Sequence, residues 1–336
     1  MNNARIRKKI MKQNKFIIFI FTSIALLLSA CQKETSDVFL PDSGQLLGAD
    51  TNWVTAINSS MPVSLLKADL AIPTHIDTID INNNTSYLNA ASGLQCTFQP
   101  NCLSDSNNDP IKGNITAESL LLQNKGDLVR LNMSTIANGK VIGSAGMFFI
   151  KLKKNGAGVK LSPQAKINIQ YRDTQNIPSI KLFYGTAGSL GILNWYVNND
   201  SVNNITASNN GYEINTNRLG WINAGYPIEA NPLENINISI NLAKHFTNAN
   251  TVAWLVFKNS RSVVNLNGDP VGKKFSCTNL PHNQEATILV LSRQVDDYYL
   301  GSKEIISTAG SGNLLSVAIT PVKVSLDVLK QYLNSL

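Results

Sequence analysis

The chain has 336 residues, of which 43% are hydrophobic and only 15% charged, with 29 Lys and Arg against 22 Asp and Glu. Six of the basic residues, Arg5, Arg7, Lys8, Lys9, Lys12 and Lys15, precede residue 31, where no acidic residue occurs; the rest of the chain holds 23 basic against 22 acidic residues. A near-neutral body excludes a nucleic-acid binder, which needs a basic face for phosphate contacts. Asn occurs 42 times. This polar but weakly charged composition points to strands joined by Asn-rich turns.

The basic leader runs into an uncharged apolar stretch from Phe16 to Leu28. Thirteen helical residues reach about 20 Å, short of a bilayer core of about 30 Å, so the stretch reads as a signal h-region and not as a spanning helix. It ends in Leu28-Ser29-Ala30-Cys31, which resembles a bacterial lipobox. Small residues suit the peptidase cleft, and Cys31 becomes the acylated N-terminus, held to the lipid bilayer by two or three acyl chains. Gln32-Lys33-Glu34 opens a short charged segment that resembles the surface-export tags of Bacteroidota lipoproteins; a plain solvated tether is the other reading. Residues 31–50 form this lipidated tether, after a signal peptide over 1–30.

From residue 51 onward strand signals dominate. Ile167-Asn168-Ile169-Gln170-Tyr171 and Ile236 to Leu242 alternate strictly, as half-buried strands do. Thr251 to Phe257 and Thr287 to Leu291 are continuous apolar runs suited to central strands. Asn138-Gly139, Asn155-Gly156, Asn210-Gly211 and Asn267-Gly268 are hairpin cues. The only helix the pattern predicts in this part is the last segment, with Leu326, Leu329, Leu333 and Leu336 behind Ser325 as N-cap. The expected fold is mainly β: two or more sandwich-like modules with a short C-terminal helix. Tyr226-Pro227 and Asn231-Pro232 divide an N-terminal β-rich domain (51–228, with a subdivision near Pro178) from a C-terminal sandwich with the terminal helix (229–336).

An ordered set of motifs then points to a family. Leu94 to Cys102 is followed by Asp109 to Gly113, Asn124 to Arg130, Gly143 to Ile150 and Asn155-Gly156. Leu161-Ser162-Pro163, Asn194-Trp195 and Gly220-Trp221-Ile222-Asn223 close the series. Across roughly residues 90–306 the chain resembles a family of largely uncharacterised Bacteroidota envelope lipoproteins. The resemblance implies an N-terminal β-sandwich and an immunoglobulin- or transthyretin-like C-terminal module. Where that pattern often carries a Cys and an acidic residue, this chain has Ala224 and Gly225.

Chemistry-bearing residues are sparse. His75, His245 and His282 are far apart and sit in no metal or nucleophile motif. Cys96 and Cys102, five residues apart around Pro100, are a candidate disulfide in an oxidising compartment, with Cys277 left as a buried thiol. Asp105 and Asp109 could offer hard oxygens to calcium, although Asx turns form without metal. Trp195 and Trp221 are a candidate platform for sugar rings, against the plainer reading of core packing. Thr78 and Ser201, each in an Asp-Ser/Thr-apolar triplet, resemble Bacteroidota O-glycosylation sites. No cofactor is called for. The reading is an outer-membrane lipoprotein acting by binding or assembly with an envelope protein or glycan partner. An exported hydrolase acting on polysaccharide or peptide, and a cell-surface adhesin or carbohydrate-binding accessory, are the rival functions.

Overall fold

The computed structural model describes residues 52–175, 177, 179–187, 193–228, 235–308 and 313–336. The signal peptide, the tether with Cys31, Gln32, Lys33 and Glu34, and the boundary cues at Pro178 and Pro232 lie outside the described residues. The chain is mainly β, in several sheets, and carries the short C-terminal helix. Strands are numbered in chain order.

A nine-stranded sheet is built on β7 (Lys140–Lys154), whose fifteen residues read as one long buried strand. Its path runs β1 (His75–Ile81), β5 (Gly113–Leu122), β7, β14 (Gly220–Pro227), β10 (Lys181–Ala187), β11 (Leu193–Val197) and β6 (Ile136–Ala137). The short strands β4 (Leu103–Ser104) and β8 (Ala157–Leu161) extend it beside β7. Facing it is a five-stranded sheet in the order β12 (Asn204–Ser208), β13 (Gly211–Thr216), β9 (Ile167–Arg172), β3 (Gln95–Phe98) and β2 (Ser86–Asn89). Strict alternation in β9 sends Ile167, Ile169 and Tyr171 into the core between the sheets, where they meet Phe98, Phe148 and Tyr212.

The C-terminal module is one eight-stranded sheet. Its order is β21 (Leu314–Ala318), β15 (Ile236–Asn241), β18 (Lys274–Leu280), β17 (Val263–Asp269), β16 (Thr251–Phe257), β19 (Glu285–Gln294), β20 (Asp297–Ile306) and β22 (Val322–Val324). Strand β17 pairs with β16 through Val263–Leu266 and with β18 through Asn267–Asp269, so it serves both halves of the sheet. The halves enclose a core of Ile238, Leu255, Phe275, Ile288 and their neighbours.

The terminal helix, α3 (Leu326–Asn334), forms as its spacing predicts: Ser325 Oγ accepts from Val328 N at 3.2 Å, and Leu329 and Leu333 are buried. Two further helices are present that the pattern did not announce, α1 (Pro62–Leu70) and α2 (Lys125–Arg130). Pro62 suits a first helical turn, and Leu66 and Leu70 one turn apart give α1 its buried stripe. All three helices join an apolar layer with Trp195 and Met147 of the nine-stranded sheet and Trp254, Val256 and Leu289 of the C-terminal sheet.

Two expectations change. The segment after residue 51, assigned to the N-terminal domain, packs on the C-terminal module: Val63 N donates to Ala249 O at 3.0 Å, and Asn248 holds Val54 through both its amide atoms. The two modules, whose sheets divide between β14 and β15, share an apolar layer. Lastly, only Asn138-Gly139 and Asn155-Gly156 are hairpin turns with both residues at positive φ. The hairpin joining β12 to β13 turns at Asn209-Asn210, and Gly211 is its first paired residue. Asn267-Gly268 lies inside β17, where a Cβ on Gly268 would come 2.7 Å from Asn248 Cβ.

Candidate functional site

Turn geometry builds a polar concavity among the described residues. At the end of β9 the chain turns through Asp173, whose Oδ1 accepts from Gln175 N at 2.9 Å and whose backbone N donates to Asn210 O at 3.2 Å. Tyr212 fastens the following residues: its hydroxyl donates to Gln175 O at 2.7 Å and accepts from Ile177 N at 3.0 Å. Opposite lies Gly211, where any Cβ would stand 2.1 Å from Tyr171 O. The close approach of β13 to β9 therefore requires Gly at that position.

Arg261, from the turn between β16 and β17, closes the concavity from the C-terminal module. Its guanidinium makes two contacts to Asp173, Nη1 to Oδ2 at 2.5 Å and Nη2 to Oδ1 at 3.1 Å. Nη1 also donates to Ala145 O at 3.3 Å, at the bulge where β7 slips register against β14 between Ala224 and Gly225. The Asp173 side chain is 0% exposed, and this fork supplies donors to both of its carboxylate oxygens. The same turn is stitched to the N-terminal module by two backbone hydrogen bonds, Ser144 N to Arg261 O and Thr135 N to Val263 O, and by the Ser262 hydroxyl, which donates to Ile142 O.

The cleft so formed has a volume of about 890 Å³, and its walls are Gln123, Asn124, Arg172, Asp173, the 174–175 and 208–211 turns, and Arg261. No apolar side chain lines it. A second groove of about 570 Å³ adjoins it across Arg172 and Ser208–Asn210, and continues along Gln95, Gln170 and Glu213. Burial and the nearby Asp173 carboxylate push the Tyr171 phenol well above its ordinary pKa, and its hydroxyl has no hydrogen-bond partner. Tyr171 is therefore a neutral core residue and not a proton donor at ordinary pH.

The second groove opens onto the outer face of the five-stranded sheet. Register places Asn89, Gln95, Gln170, Glu213 and Thr206 in one cross-strand row, and Tyr87, Thr97, Asn168, Asn215 and Asn204 in the next. Asn168 Nδ2 donates to Glu213 Oε1 at 2.6 Å and to Asn215 Oδ1 at 3.1 Å, and Gln170 Nε2 donates to Asn168 Oδ1 at 3.1 Å. Adjacent side chains in a row stand about 4.8 Å apart, so the face presents a ladder of ordered amides. Only Glu213 among these ten is charged.

The residues singled out from the sequence do not gather here. Trp195 is 1% exposed and donates its Nε1 to Ser134 O at 2.8 Å, so it packs in the shared core and offers no ring to a sugar. Trp221 is half-buried with its ring 5.0 Å from that of Phe149. The disulfide is likewise corrected: Cys96, Cys102 and Cys277 are free and buried. Cys96 points into the sandwich core from β3. Burial raises all three thiols, Cys277 to about 11. The Asp105 carboxylate accepts from Asn107 N at 2.8 Å and Asp109 N at 2.9 Å, an Asx turn that occupies the oxygen a cation would use. Among the described residues no three His, Cys, Asp or Glu side chains cluster as metal ligands. Thr78, on edge strand β1, and Ser201 are exposed. His75 Nε2 lies 3.1 Å from Asp77 Oδ2, His245 stacks on Phe246, and no histidine lines either groove. Ala224 is fully buried, and a Cβ on Gly225 would press on Gly143 O and the Phe183 ring at 3.0 Å.

The sequence missed Arg172, Asp173 and Arg261. The outward set Asn168, Gln170 and Arg172 was legible from the alternation of β9, whereas the Asp173–Arg261 pair spans 88 positions and leaves no local signal. No family model matches the chain, and no curated protein and no solved structure matches it either. Among the described residues no helix is long and apolar enough to cross a membrane.

Proposed function

We propose that this chain is an outer-membrane lipoprotein, one of the Bacteroidota envelope family it resembles, anchored by acylated Cys31 and acting through non-catalytic binding or assembly. The observation that carries the reading is Leu28-Ser29-Ala30-Cys31 directly after a basic, then apolar, leader. Twenty residues separate Cys31 from Asn52. Fully extended they reach about 70 Å, enough to hold a folded body clear of lipid headgroups. The polar cleft and amide face give that body a contact surface. Asp173 is taken by Arg261 and Glu213 accepts from Asn168, so the cleft supports binding better than acid–base chemistry.

Cell fractionation of the natural host tests the anchor. Wild-type protein is expected in the detergent-insoluble outer membrane and a Cys31→Ser variant outside it; wild-type protein in the soluble fraction would overturn the reading. Protease shaving of intact cells, with Lys33→Ala/Glu34→Ala for comparison, then separates the surface from the periplasmic face.

A further inference from the structure

The outer face of the five-stranded sheet and the cleft at its end form one continuous polar surface, because Arg172 and Ser208–Asn210 border both grooves. An ordinary solvated sheet face carries many charges of both signs. In the two rows here only Glu213 is charged, with Arg172 at the edge; the rest are amides, hydroxyls and the Tyr87 ring, several of them aligned by hydrogen bonds among Asn168, Gln170, Glu213 and Asn215. Such a surface offers few apolar side chains to a ligand, so its affinity rests mainly on hydrogen bonds. A peptide ligand, which depends on pockets for its side chains, finds none in the cleft. A polyhydroxylated chain finds donors and acceptors at regular spacing, and the exposed Tyr87 ring at the end of one row can take a sugar face.

Charge narrows the ligand further. Arg261 is committed to Asp173 and to Ala145 O. Arg172 is exposed, ends β9 at the meeting of the two grooves, and makes no ion pair among the described residues. The side chains of Asn209 and Asn210 beside it are also unpartnered among the described residues, as is that of Gln175. The Glu213 carboxylate in the same groove accepts from Asn168, and the free guanidinium of Arg172 matches one ligand carboxylate held by two parallel hydrogen bonds. A phosphate or sulfate polymer would call for several cations in a row. We propose that this surface binds a carboxylated oligosaccharide, with the acidic sugar at Arg172, flanked by Asn209 and Asn210, and the neighbouring sugars along the Gln170–Asn168 ladder. The proposal rests on the binding role argued above and gives it a substrate class.

The test is calorimetric titration of the mature acylated protein in detergent micelles. The probes are tetragalacturonate, a hyaluronan tetrasaccharide, tetramannuronate and sialyllactose, with cellotetraose and the methyl ester of each acid as uncharged controls. At least one acid is expected to bind, and its ester to bind at least about tenfold more weakly. Arg172→Gln is expected to weaken that acid by at least about tenfold without shifting the melting temperature. Asn168→Ala/Gln170→Ala is expected to weaken acid and ester alike. Absence of binding by all four acids, equal binding of acid and ester, or unchanged affinity in Arg172→Gln would each overturn the proposal. None of these results touches the anchor, which is read from the membrane fraction of the wild type and of Cys31→Ser.

Discussion

Around Leu329 and Leu333 the two modules meet through an apolar layer, with polar contacts such as Arg130 to Asn334 and Lys125 to Phe257 O beside it, whereas around Arg261 they meet across a cleft lined by polar residues. The first junction is an apolar layer in which three helices fill the space between sheets that could not otherwise interdigitate. The second is held by a guanidinium fork, a bulged strand and a few backbone hydrogen bonds, and it leaves about 890 Å³ open. The difference shows how one pair of sandwiches can be rigid and still offer a site. The dry junction fixes the relative placement of the sheets, and the polar junction only has to satisfy its own buried groups.

The sharpest way to break this contrast is at Arg261. Arg261→Ala leaves the buried Asp173 carboxylate unpaired, and denaturant unfolding is expected to lose about 3–4 kcal/mol. Converting both members to apolar residues, Arg261→Met/Asp173→Leu, should recover most of that loss while abolishing the polar cleft. A double variant as unstable as Arg261→Ala would contradict the pairing argument. At the dry junction the corresponding probe is Gly126→Ala. Its Cβ would sit 1.7 Å from Leu333 O, where α2 crosses α3, so one helix must move. The expected loss is about 2–3 kcal/mol, with exchange protection falling in α3 and not in the five-stranded sheet.

Two smaller effects sharpen the picture away from the crossing. Val295, the first loop residue between β19 and β20, has φ of 56° and is 44% exposed, at a place where hairpins ask for Gly or Asn. Arg293 holds it there, donating Nε to Val295 O at 3.1 Å and Nη1 to Asp69 Oδ2 of α1 at 2.6 Å. Val295→Asn should relieve the strain and stabilise the chain by about 1 kcal/mol in thermal unfolding. Asp127, in the first turn of α2, has its carboxyl raised by burial, against the opposing pull of Arg130. A raised carboxyl means that the folded chain holds its proton more tightly than the unfolded chain. The contribution is therefore full below the unfolded pKa and is lost as pH rises through the folded one. Urea titrations of wild type and Asp127→Asn should show the variant gaining a few tenths of a kcal/mol relative to wild type as pH rises through that window.

What the sequence disclosed follows from where the information resides. Period-two alternation in β9 and β15, the apolar runs of β16 and β19, and the Ser325 cap are local, and each appears at its expected place. The abundance of Asn also has a local cause: eight of the twelve non-Gly residues at positive φ among the described residues are Asn, several of them at turns. Helix α2 escaped because six residues are too few for a periodic stripe to stand out; α1 is as long as the terminal helix, but it has no side-chain N-cap and its apolar residues are not confined to one face, Leu65 being exposed, so tertiary packing in the shared layer stabilises it. Trp195 follows the plainer reading of core packing, whereas the paired cysteines misled. Composition cannot tell a buried ring or thiol from an accessible one. The amide ladder lay half in view, since each strand shows its outward residues, but only the register aligns Gln95, Gln170 and Glu213 into a row. The Arg261–Asp173 pair was invisible because its members come from different modules.

The central claim, a folded binding body carried on a lipid, is tested most directly by the intact mass of the protein extracted from host membranes. The account predicts a chain beginning at Cys31 and carrying the added mass of two or three acyl chains, with the lipid lost when Cys31 is replaced by Ser. A chain that begins elsewhere, or that begins at Cys31 without added mass, would contradict it.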